Sequence, residues 1–176
     1  MLGDKIIVTG TSCTGKTTLG AQLADALDCE LIDLDDLHFL PGWVAKDKEI
    51  FINDVNEATQ QEDCWVVSGS YQSVLDKTLW PSADTIIWLD LDLSIILRRY
   101  FQRTYKRVRF KEPCCGGNFE TLRHVLFHDN MLIHILKTYK ARKKRLAHWR
   151  YDRFADKQWI VPTSPQEVDD LLEKVR

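Results

Sequence analysis

Long apolar runs are absent from this chain of 176 residues: no stretch approaches the roughly 20 consecutive apolar residues of a membrane-spanning helix. No basic-then-apolar leader precedes the first strand-like segment, which begins at Lys5. The five cysteines are odd in number and scattered, which does not match a disulfide framework. We therefore expect a cytoplasmic protein without a membrane partner, and this length is typical of one α/β domain.

Acidic residues are scarce between Arg98 and Arg153, a segment with 16 of the 24 Lys and Arg residues and only four acids. The asymmetry indicates a positive surface suited to polyanionic phosphates. Within Lys137–Arg153, eight basic residues are interleaved with aromatic ones, Tyr139, Trp149 and Tyr151. A nucleic-acid-binding surface is one interpretation of this pattern, and a charged helix surface is the more common one.

The clearest motif lies directly after the apolar run Ile6-Ile7-Val8. Residues Gly10–Thr17 read Gly-Thr-Ser-Cys-Thr-Gly-Lys-Thr, which matches the phosphate-binding pattern G-x-x-x-x-G-K-[ST] between a strand and a helix. Such a loop points its backbone amides at a phosphate, and the helix adds its positive end. We predict binding of ATP and Mg²⁺, with Lys16 on the outer phosphates and the Thr17 hydroxyl on the metal. The predicted nucleotide-binding residues are Gly10, Thr11, Ser12, Cys13, Thr14, Gly15, Lys16, Thr17 and Thr18.

Hydrophobic periodicity predicts alternating strands and helices. The predicted strands are Lys5–Thr9, Glu30–Asp33, Cys64–Ser68, Thr85–Asp90 and Gln158–Val161. The predicted helices are Lys16–Leu27, Asp47–Gln61, Gln72–Leu79, Leu93–Lys106, Phe119–Trp149 in two pieces, and Gln166–Arg176. Alternation of this kind is typical of a parallel sheet with helices on both faces. We expect one domain over residues 1–176, with an inserted lid at approximately 104–122.

Two carboxylates follow the second predicted strand, at the sheet edge where ligands bind in open α/β folds. Asp33 and Asp35 alternate, so both are expected on the same side of that strand. One of them would hold a water on Mg²⁺, the role we assign to Asp33. The other, Asp35, would accept a proton from a substrate hydroxyl. Capping of a helix or turn is the alternative role for either residue.

Aromatic residues follow in the segment His38-Phe-Leu-Pro-Gly-Trp43, and Tyr71 follows the third strand in Trp-Val-Val-Ser-Gly-Ser-Tyr. His38, Trp43, Gly69 and Tyr71 are candidates to line an acceptor pocket together with Asp33 and Asp35. A packed cover over the core is an equally good interpretation of the aromatic residues.

Arginines recur every four residues after the fourth strand, at Arg99, Arg103 and Arg107, and therefore share one helix face. Arginines on a hinged segment can close over a triphosphate and neutralise the charge that develops during phosphoryl transfer. We select Arg103 and Arg107 as candidate catalytic residues. A solvated basic face is the alternative.

The adjacent residues Cys114 and Cys115 precede His124 and His128, which are one helical turn apart. A zinc site is one interpretation, but neighbouring cysteines rarely both bind one metal ion and no Cys-x-x-Cys pair is present. The pattern is more typical of a loop followed by an ordinary helix.

The phosphate loop, Leu-Asp-Asp-Leu-His-Phe-Leu-Pro-Gly-Trp and Trp-Val-Val-Ser-Gly-Ser-Tyr occur in this order before the Arg-rich stretch. The chain thereby resembles the adenylate-kinase-like P-loop NTPases and kinases, and within them the topology modulation protein (FlaR-related) group. The resemblance implies a three-layer fold with a five-stranded parallel sheet in the order 2-3-1-4-5 and an Arg-bearing lid. It also implies adenine contacts in the loop after the last strand, at Thr163 and Ser164.

One departure from that resemblance concerns Ser68, because related sequences tend to carry Asp-Gly where this chain reads Ser68-Gly69. The missing negative charge near Mg²⁺ would be replaced by Asp33, Asp35 or Asp90, or catalysis would be weak. A kinase acting on a small-molecule or nucleotide acceptor is the leading interpretation. A nucleotide-binding regulatory protein that contacts DNA and a plain NTP hydrolase are the alternatives.

Overall fold

A five-stranded parallel sheet with helices on both faces forms the centre of the fold. The computed structural model describes residues 2–119, 121 and 131–175. The strands are β1 (Lys5–Gly10), β2 (Glu30–Asp33), β3 (Phe39–Leu40), β4 (Val44–Ala45), β5 (Trp65–Ser68), β6 (Thr85–Leu89), β7 (Pro113–Cys114), β8 (Asn118–Phe119) and β9 (Gln158–Ile160). The helices are α1 (Lys16–Leu27), α2 (Leu34–His38), α3 (Lys48–Gln60), α4 (Gln72–Leu75), α5 (Leu79–Ser82), α6 (Leu93–Phe110), α7 (Met131–Tyr151) and α8 (Pro165–Val175).

The sheet order is β2-β5-β1-β6-β9, with all four neighbouring pairs parallel. Counting only these five strands along the chain, this is the order 2-3-1-4-5, so the predicted fold class is confirmed. β1 lies in the middle, where Val8 pairs with Ser68 of β5 and Gly10 pairs with Leu89 of β6. The phosphate loop therefore leaves the centre of the sheet at its carboxyl edge, beside the ends of β2 and β5.

Alternating residues of β1 pack into the hydrophobic cores on the two faces of the sheet. Ile6 and Val8 are fully buried on one face, where they pack with Leu23 of α1 and Leu172 of α8. Ile7 faces the other side. Each fully buried side chain of this size contributes about 1.5–3 kcal/mol to folding, so the central strand is held firmly on both faces.

The core on the Ile7 side is rich in tryptophan. Trp65, Trp80 and Trp149 are nearly fully buried there together with Phe51. The Trp80 and Trp149 rings meet edge to face, with centroids 4.8 Å apart, an arrangement that aromatic quadrupoles favour. This contact fixes the carboxyl-terminal end of α7 against α5.

The region after β2 differs from the sequence prediction. Asp33 ends the strand and caps the short helix α2, since its side chain accepts from the Asp35 backbone N–H at 2.9 Å. Asp35 is consequently in a helical turn and not on the strand, so the two carboxylates do not alternate on one strand as predicted. A two-stranded hairpin, β3–β4, follows and surrounds the Pro41-Gly42 turn.

The predicted loop Arg109–Asn118 is also corrected. Helix α6 continues to Phe110 and ends at Lys111, which adopts a left-handed backbone with φ 51°. The next residues form the small hairpin β7–β8, in which Pro113 pairs with Phe119. Of the predicted helix Phe119–Trp149, α7 covers the second part, and residues 120 and 122–130 lie outside the described residues.

The segment predicted as one helix, Gln72–Leu79, is two short helices, α4 and α5. Pro81 lies inside α5 instead of closing the segment. Other predicted boundaries agree with the structure within one or two residues. In the described ranges, no helix is both long and apolar enough to cross a membrane.

A disulfide joins Cys29, just before β2, to Cys64, just before β5. The Glu30 N–H donates to the Cys64 carbonyl oxygen at 3.2 Å, so the pairing of these strands brings the two residues together. This bridge corrects the expectation that the cysteines form no disulfides; their scattered positions did not predict it, because 35 residues separate the two cysteines.

Candidate phosphate-binding and acceptor site

The phosphate loop is a tight turn between β1 and α1. Gly10 and Gly15 have φ values of 150° and 97°, and Cys13 has a left-handed φ of 66°. The Thr14 N–H and hydroxyl both contact the Thr11 carbonyl oxygen, at 3.3 Å and 2.9 Å. These bonds hold the loop in a closed curve before the first turn of α1.

The Lys16 ammonium folds back over this curve and donates to the Thr11 carbonyl oxygen at 3.1 Å. Burial lowers the pKa of Lys16 to about 8. The Asp35 carboxylate opposes that shift, whereas the positive charges of Arg142 and Arg103 add to it. Lys16 is therefore a cation that the fold itself destabilises, as expected where a polyanion is bound.

Two arginines from distant helices also donate to carbonyl oxygens of the loop. Arg99 of α6 donates to Thr14, and Arg142 of α7 donates to Gly10 at 3.2 Å. Gly10 also accepts from the Ser70 hydroxyl. Arg99 belongs to the predicted Arg-rich face, but Arg142 was not selected from the sequence, where it is one of eight basic residues in Lys137–Arg153.

Oxygen donors converge beside Lys16 at the start of α1. The Thr17 hydroxyl lies 3.4 Å from the Ser68 hydroxyl and hydrogen-bonds to the Asp33 carboxylate. Burial is the main cause of a raised pKa at Asp33, and the bonds from the Asp35 backbone and from Thr17 oppose it. Hydroxyl and carboxylate oxygens are the ligands that Mg²⁺ prefers, and Mg²⁺ usually takes few protein ligands. The donor set fits the ion.

Asp35 lies at the centre of the candidate site. Its Oδ1 atom accepts a hydrogen bond of 2.8 Å from the Tyr71 hydroxyl, and its charge acts on Lys16, His38 and Arg142. Burial and this carboxylate raise the pKa of Tyr71 far above its ordinary value. The tyrosine therefore remains a donor that orients Asp35.

Aromatic rings surround the same position. The His38 ring is 4.8 Å from the centroids of both Phe51 and Tyr71, and the Phe39 ring is 5.7 Å from Trp43. Within the described structure, His38 Nδ1 is buried without a hydrogen-bond partner. Burial lowers the pKa of His38, so the ring is neutral at physiological pH and presents one unsatisfied nitrogen.

We define residues 34–43 as the acceptor segment; the hairpin β7–β8 is fastened to it. The buried Asn118 side chain accepts from the backbone N–H groups of Gly42 and Trp43, at 2.7 Å and 3.0 Å, and donates to the Leu40 carbonyl oxygen. The Trp43 indole N–H donates to Phe119 at 3.4 Å. No signal in the sequence marked Asn118, because its role depends on a contact across 76 residues.

Of the two selected lid arginines, Arg103 lies close enough to Lys16 for its charge to lower the Lys16 pKa. It also lines a cleft of about 550 Å³ with Arg99 and Phe110. Arg107 is farther along α6, and its charge acts on Cys115. The structure thus brings Arg103 near the phosphate loop and places Arg107 near the hairpin.

The remaining candidates have structural contacts. A Cβ atom on Gly69 would lie 2.7 Å from the Leu34 Cβ atom, so this glycine permits α2 to pack closely on the end of β5.

Thr163 and Ser164 form a capping arrangement with Glu167 at the start of α8. Asp90 binds Lys143 at 2.7 Å and does not join the oxygen donors at Thr17. Adenine binding near Thr163 remains a prediction.

Three of the eight basic residues in Lys137–Arg153 contact other parts of the fold, and Lys137, Lys140, Lys144 and Arg145 are exposed. Arg142 holds the phosphate loop, Lys143 pairs with Asp90, and Arg153 pairs with Asp76. Trp149 is buried, and the Tyr139 hydroxyl donates to the Leu91 carbonyl oxygen at 3.3 Å. This arrangement favours the interpretation as a helix surface over a stacking platform for nucleic acid.

No cluster of three or more His, Cys, Asp or Glu residues suited to a metal ion occurs in the part of the chain that the structure describes. His124 and His128 lie outside those residues, so the structure does not test the zinc interpretation.

The sheet order and the helical layers on both faces give this chain the same fold as several solved kinase structures. The structures that share this fold include an unliganded sugar kinase from Janibacter, with a TM-score of 0.55 and 21% identity, over 96% of this chain and 90% of that one. A gluconokinase from Sinorhizobium meliloti has a TM-score of 0.59 and 20% identity, over 97% and 88% of the two chains. Deoxyadenosine kinase from M. mycoides has a TM-score of 0.54 and 13% identity, over 97% of each chain.

Among curated proteins, mouse threonine synthase-like 1 is 28% identical to this chain over 183 residues. The match covers 96% of the present chain and 24% of that protein, so the chain spans about a quarter of the length of this relative. No protein-family model matches the sequence.

Proposed function

We propose that this protein is an ATP-dependent kinase that transfers the γ-phosphoryl group to a hydroxyl of a small-molecule or nucleotide acceptor. The convergence of Lys16 and Asp35 supports this most directly. A phosphate-binding ammonium and an oriented carboxylate interact within one site, the former from the phosphate loop and the latter from the acceptor segment. Phosphoryl transfer mainly requires such positioning together with charge stabilisation.

In this proposal Lys16, Arg99, Arg103 and Arg142 are the cations for the triphosphate. Three of them donate to loop carbonyl oxygens, from which an arriving phosphate would draw them. Positive charge held near the transferring group is worth about 10²–10³-fold in rate for one good donor. Arg107 is a proposed lid residue, which would reach the phosphate loop when the β7–β8 hairpin closes over it.

The proposed metal site consists of Thr17 directly and Asp33 through water, with Ser68 as a further oxygen donor. Bound Mg²⁺ supplies positive charge to the phosphate oxygens. Asp33 takes the place of the acid that is missing at Ser68, since it bonds to the Thr17 hydroxyl.

The acceptor would lie between Asp35 and the aromatic residues His38, Trp43 and Tyr71. Asp35 accepts the proton of the attacking hydroxyl, and Tyr71 holds the carboxylate in position. The unsatisfied His38 Nδ1 atom supplies one more polar contact. We include Asp33 and Gly69 at the rim of this pocket.

We further propose a cellular location, a domain organisation and a family for this protein, together with its adenine contacts. The protein works in the cytoplasm as a single domain over residues 1–176, with the inserted lid at about 104–122. It belongs with the topology modulation protein group, which the Leu-Asp-Asp-Leu and Pro-Gly-Trp motifs support. Thr163 and Ser164 lie against the adenine of ATP.

The test is ADP release with ATP and Mg²⁺ over a panel of nucleosides, nucleotides and small hydroxy-metabolites. Lys16→Ala serves as the blank, and Lys140→Ala, an exposed residue of α7, serves as the matched control. We expect one class of compounds to raise turnover well above the rate without acceptor, and only with intact Lys16.

Two outcomes would overturn the proposal. ADP release that no compound stimulates would favour the plain hydrolase. Absence of turnover together with DNA binding that weakens by orders of magnitude between low and physiological salt would favour the regulatory alternative.

A further inference from the structure

Two adjacent thiols lie in the hairpin that contacts the acceptor segment. Cys114 ends β7 and Cys115 begins the turn, and both are partly exposed reduced cysteines. Cys115, Gly116 and Gly117 all have left-handed backbones, with φ values of 42°, 68° and 78°. The chain thus turns sharply at the second thiol.

The two thiols are not equivalent. Cys115 hydrogen-bonds to the Cys114 sulfur, and this bond, together with burial and the nearby Asp35 charge, raises the pKa of Cys115 far above its usual range. Cys115 therefore keeps its proton while it is bonded to Cys114, so the first attack on a disulfide falls to Cys114. Cys114 is the better nucleophile of the pair.

The turn is rigidly coupled to the acceptor segment. The Gly116 N–H donates to the Asp36 carboxylate at 2.8 Å, and the Gly116 Cα lies so close to Phe39 that an added Cβ would be 2.3 Å from its carbonyl oxygen. Asn118 donates to the Cys115 carbonyl oxygen at 2.7 Å while it holds Gly42 and Trp43. A change in the backbone of Cys114–Cys115 must alter these contacts.

We propose that Cys114 and Cys115 form a covalent modification site for low-molecular-weight disulfides, and that its oxidation detaches the hairpin from the acceptor segment. The effect of this oxidation on catalysis rests on the proposed kinase function, whereas the reaction of the two thiols is independent of it.

The reaction is two successive thiol–disulfide exchanges. The Cys114 thiolate attacks one sulfur of the small disulfide, forms a mixed disulfide and releases one small thiolate. With Cys114 in the mixed disulfide, the bond that held the Cys115 proton is lost, so Cys115 gives this proton to solvent, attacks the Cys114 sulfur and displaces the second small thiolate. Two protein thiols are oxidised, and one small disulfide is reduced to two thiols.

Ring closure between neighbours requires the backbone to change. Consecutive Cα atoms are about 3.8 Å apart across a trans peptide, whereas disulfides usually join Cα atoms about 4.4–6.8 Å apart. The oxidised pair would be strained and readily reduced, which makes the modification reversible. The backbone change would occur in the turn that Gly116 and Asn118 connect to the acceptor segment.

The experiment uses the full chain with Cys13→Ser, so that Cys114 and Cys115 are the thiols left beside the Cys29–Cys64 bridge. Glutathione disulfide is the probe, followed by peptide mass mapping and hydrogen exchange, and dithiothreitol reverses the reaction. We expect loss of two hydrogens from the peptide with Cys114 and Cys115. The Gly42 and Trp43 amides, which Asn118 protects, should exchange at least about tenfold faster.

Single variants in the same background test the two roles. Cys115→Ser should trap glutathione on Cys114, and Cys114→Ser should react more slowly, because burial and the Asp35 charge still raise the pKa of Cys115. A stable adduct on the unaltered pair, absence of reaction, equal reactivity of the two single variants, or ring closure without faster exchange at Gly42 would each overturn the proposal. Because no readout uses turnover, a failure of the kinase assignment would be seen separately.

Discussion

The Tyr71 hydroxyl donates a 2.8 Å hydrogen bond to Asp35, which joins the segment that follows β5 to the first turn of α2. The bond uses one oxygen of the carboxylate, so the other stays available to a substrate hydroxyl. Two adjacent strand ends thereby bring together the proposed general base and the residue that would orient it.

Asp35→Asn should lower turnover about 10²-fold or more, because general-base catalysis of this kind contributes roughly 10²–10⁴-fold. ATP affinity should change much less, since in the proposed complex the phosphates contact Lys16 and the arginines. Tyr71→Phe should give a smaller loss, about tenfold, because the carboxylate remains but is less well oriented. Steady-state kinetics and calorimetry separate these effects. An Asp35→Asn enzyme with an unchanged rate would show that the carboxylate only supports the fold.

Arg142→Ala should reduce kcat about 10²-fold or more through loss of a cation at the phosphate loop. Its hydrogen bond to the Gly10 carbonyl oxygen indicates that it also shapes the loop, so ATP affinity should fall as well. Lys140→Ala, two residues away on an exposed part of α7, is the matched control and should behave like the natural protein. Equal kinetics of the two variants would contradict this role for Arg142.

Local patterns in the sequence predicted the sheet, the phosphate loop and the main helices, because each depends on periodicity or on a contiguous motif. The phosphate-loop motif Gly10–Thr17 is contiguous, so it can be identified without knowledge of any contact to a distant residue. The order of the strands agreed with the resemblance to P-loop kinases, and it brought the ends of β1, β2 and β5 to one edge.

Contacts between distant segments were the ones that the sequence did not reveal. Arg142 is indistinguishable from its basic neighbours until α7 packs beside the phosphate loop, 132 residues from Gly10 along the chain. Asn118 is one polar residue in a Gly-rich stretch, and its bonds to Gly42 exist only after the hairpin folds. The predicted position of Asp35 on a strand was wrong, because β2 ends at Asp33 and Asp33 caps the helix that contains Asp35.

Gly69→Ala should destabilise the protein by about 1–3 kcal/mol, the usual cost of forcing extra volume into a packed site. The added methyl group would meet the Leu34 side chain and its Cβ atom at 2.7 Å. Gly20→Ala is a suitable comparison, because its nearest contacts are 3.3 Å away, so the neighbours need to move by only a few tenths of an ångström, and alanine favours the helix. Chemical denaturation measures both variants. Equal stability of Gly69→Ala and the natural protein would show that α2 can move away from β5.

ATP affinity should fall as pH rises above about 8, the value to which burial lowers the pKa of Lys16. Below that pH the ammonium is already charged and can meet the phosphates. Above it the free protein carries a neutral Lys16, and since bound phosphates favour the charged form, binding must take up a proton. Calorimetry with ATP at pH 7–10, in buffers with different ionisation enthalpies, detects both the lower affinity and the proton uptake. Lys16→Ala should bind ATP weakly and lose this uptake, so an unchanged proton uptake in that variant would assign it to another group.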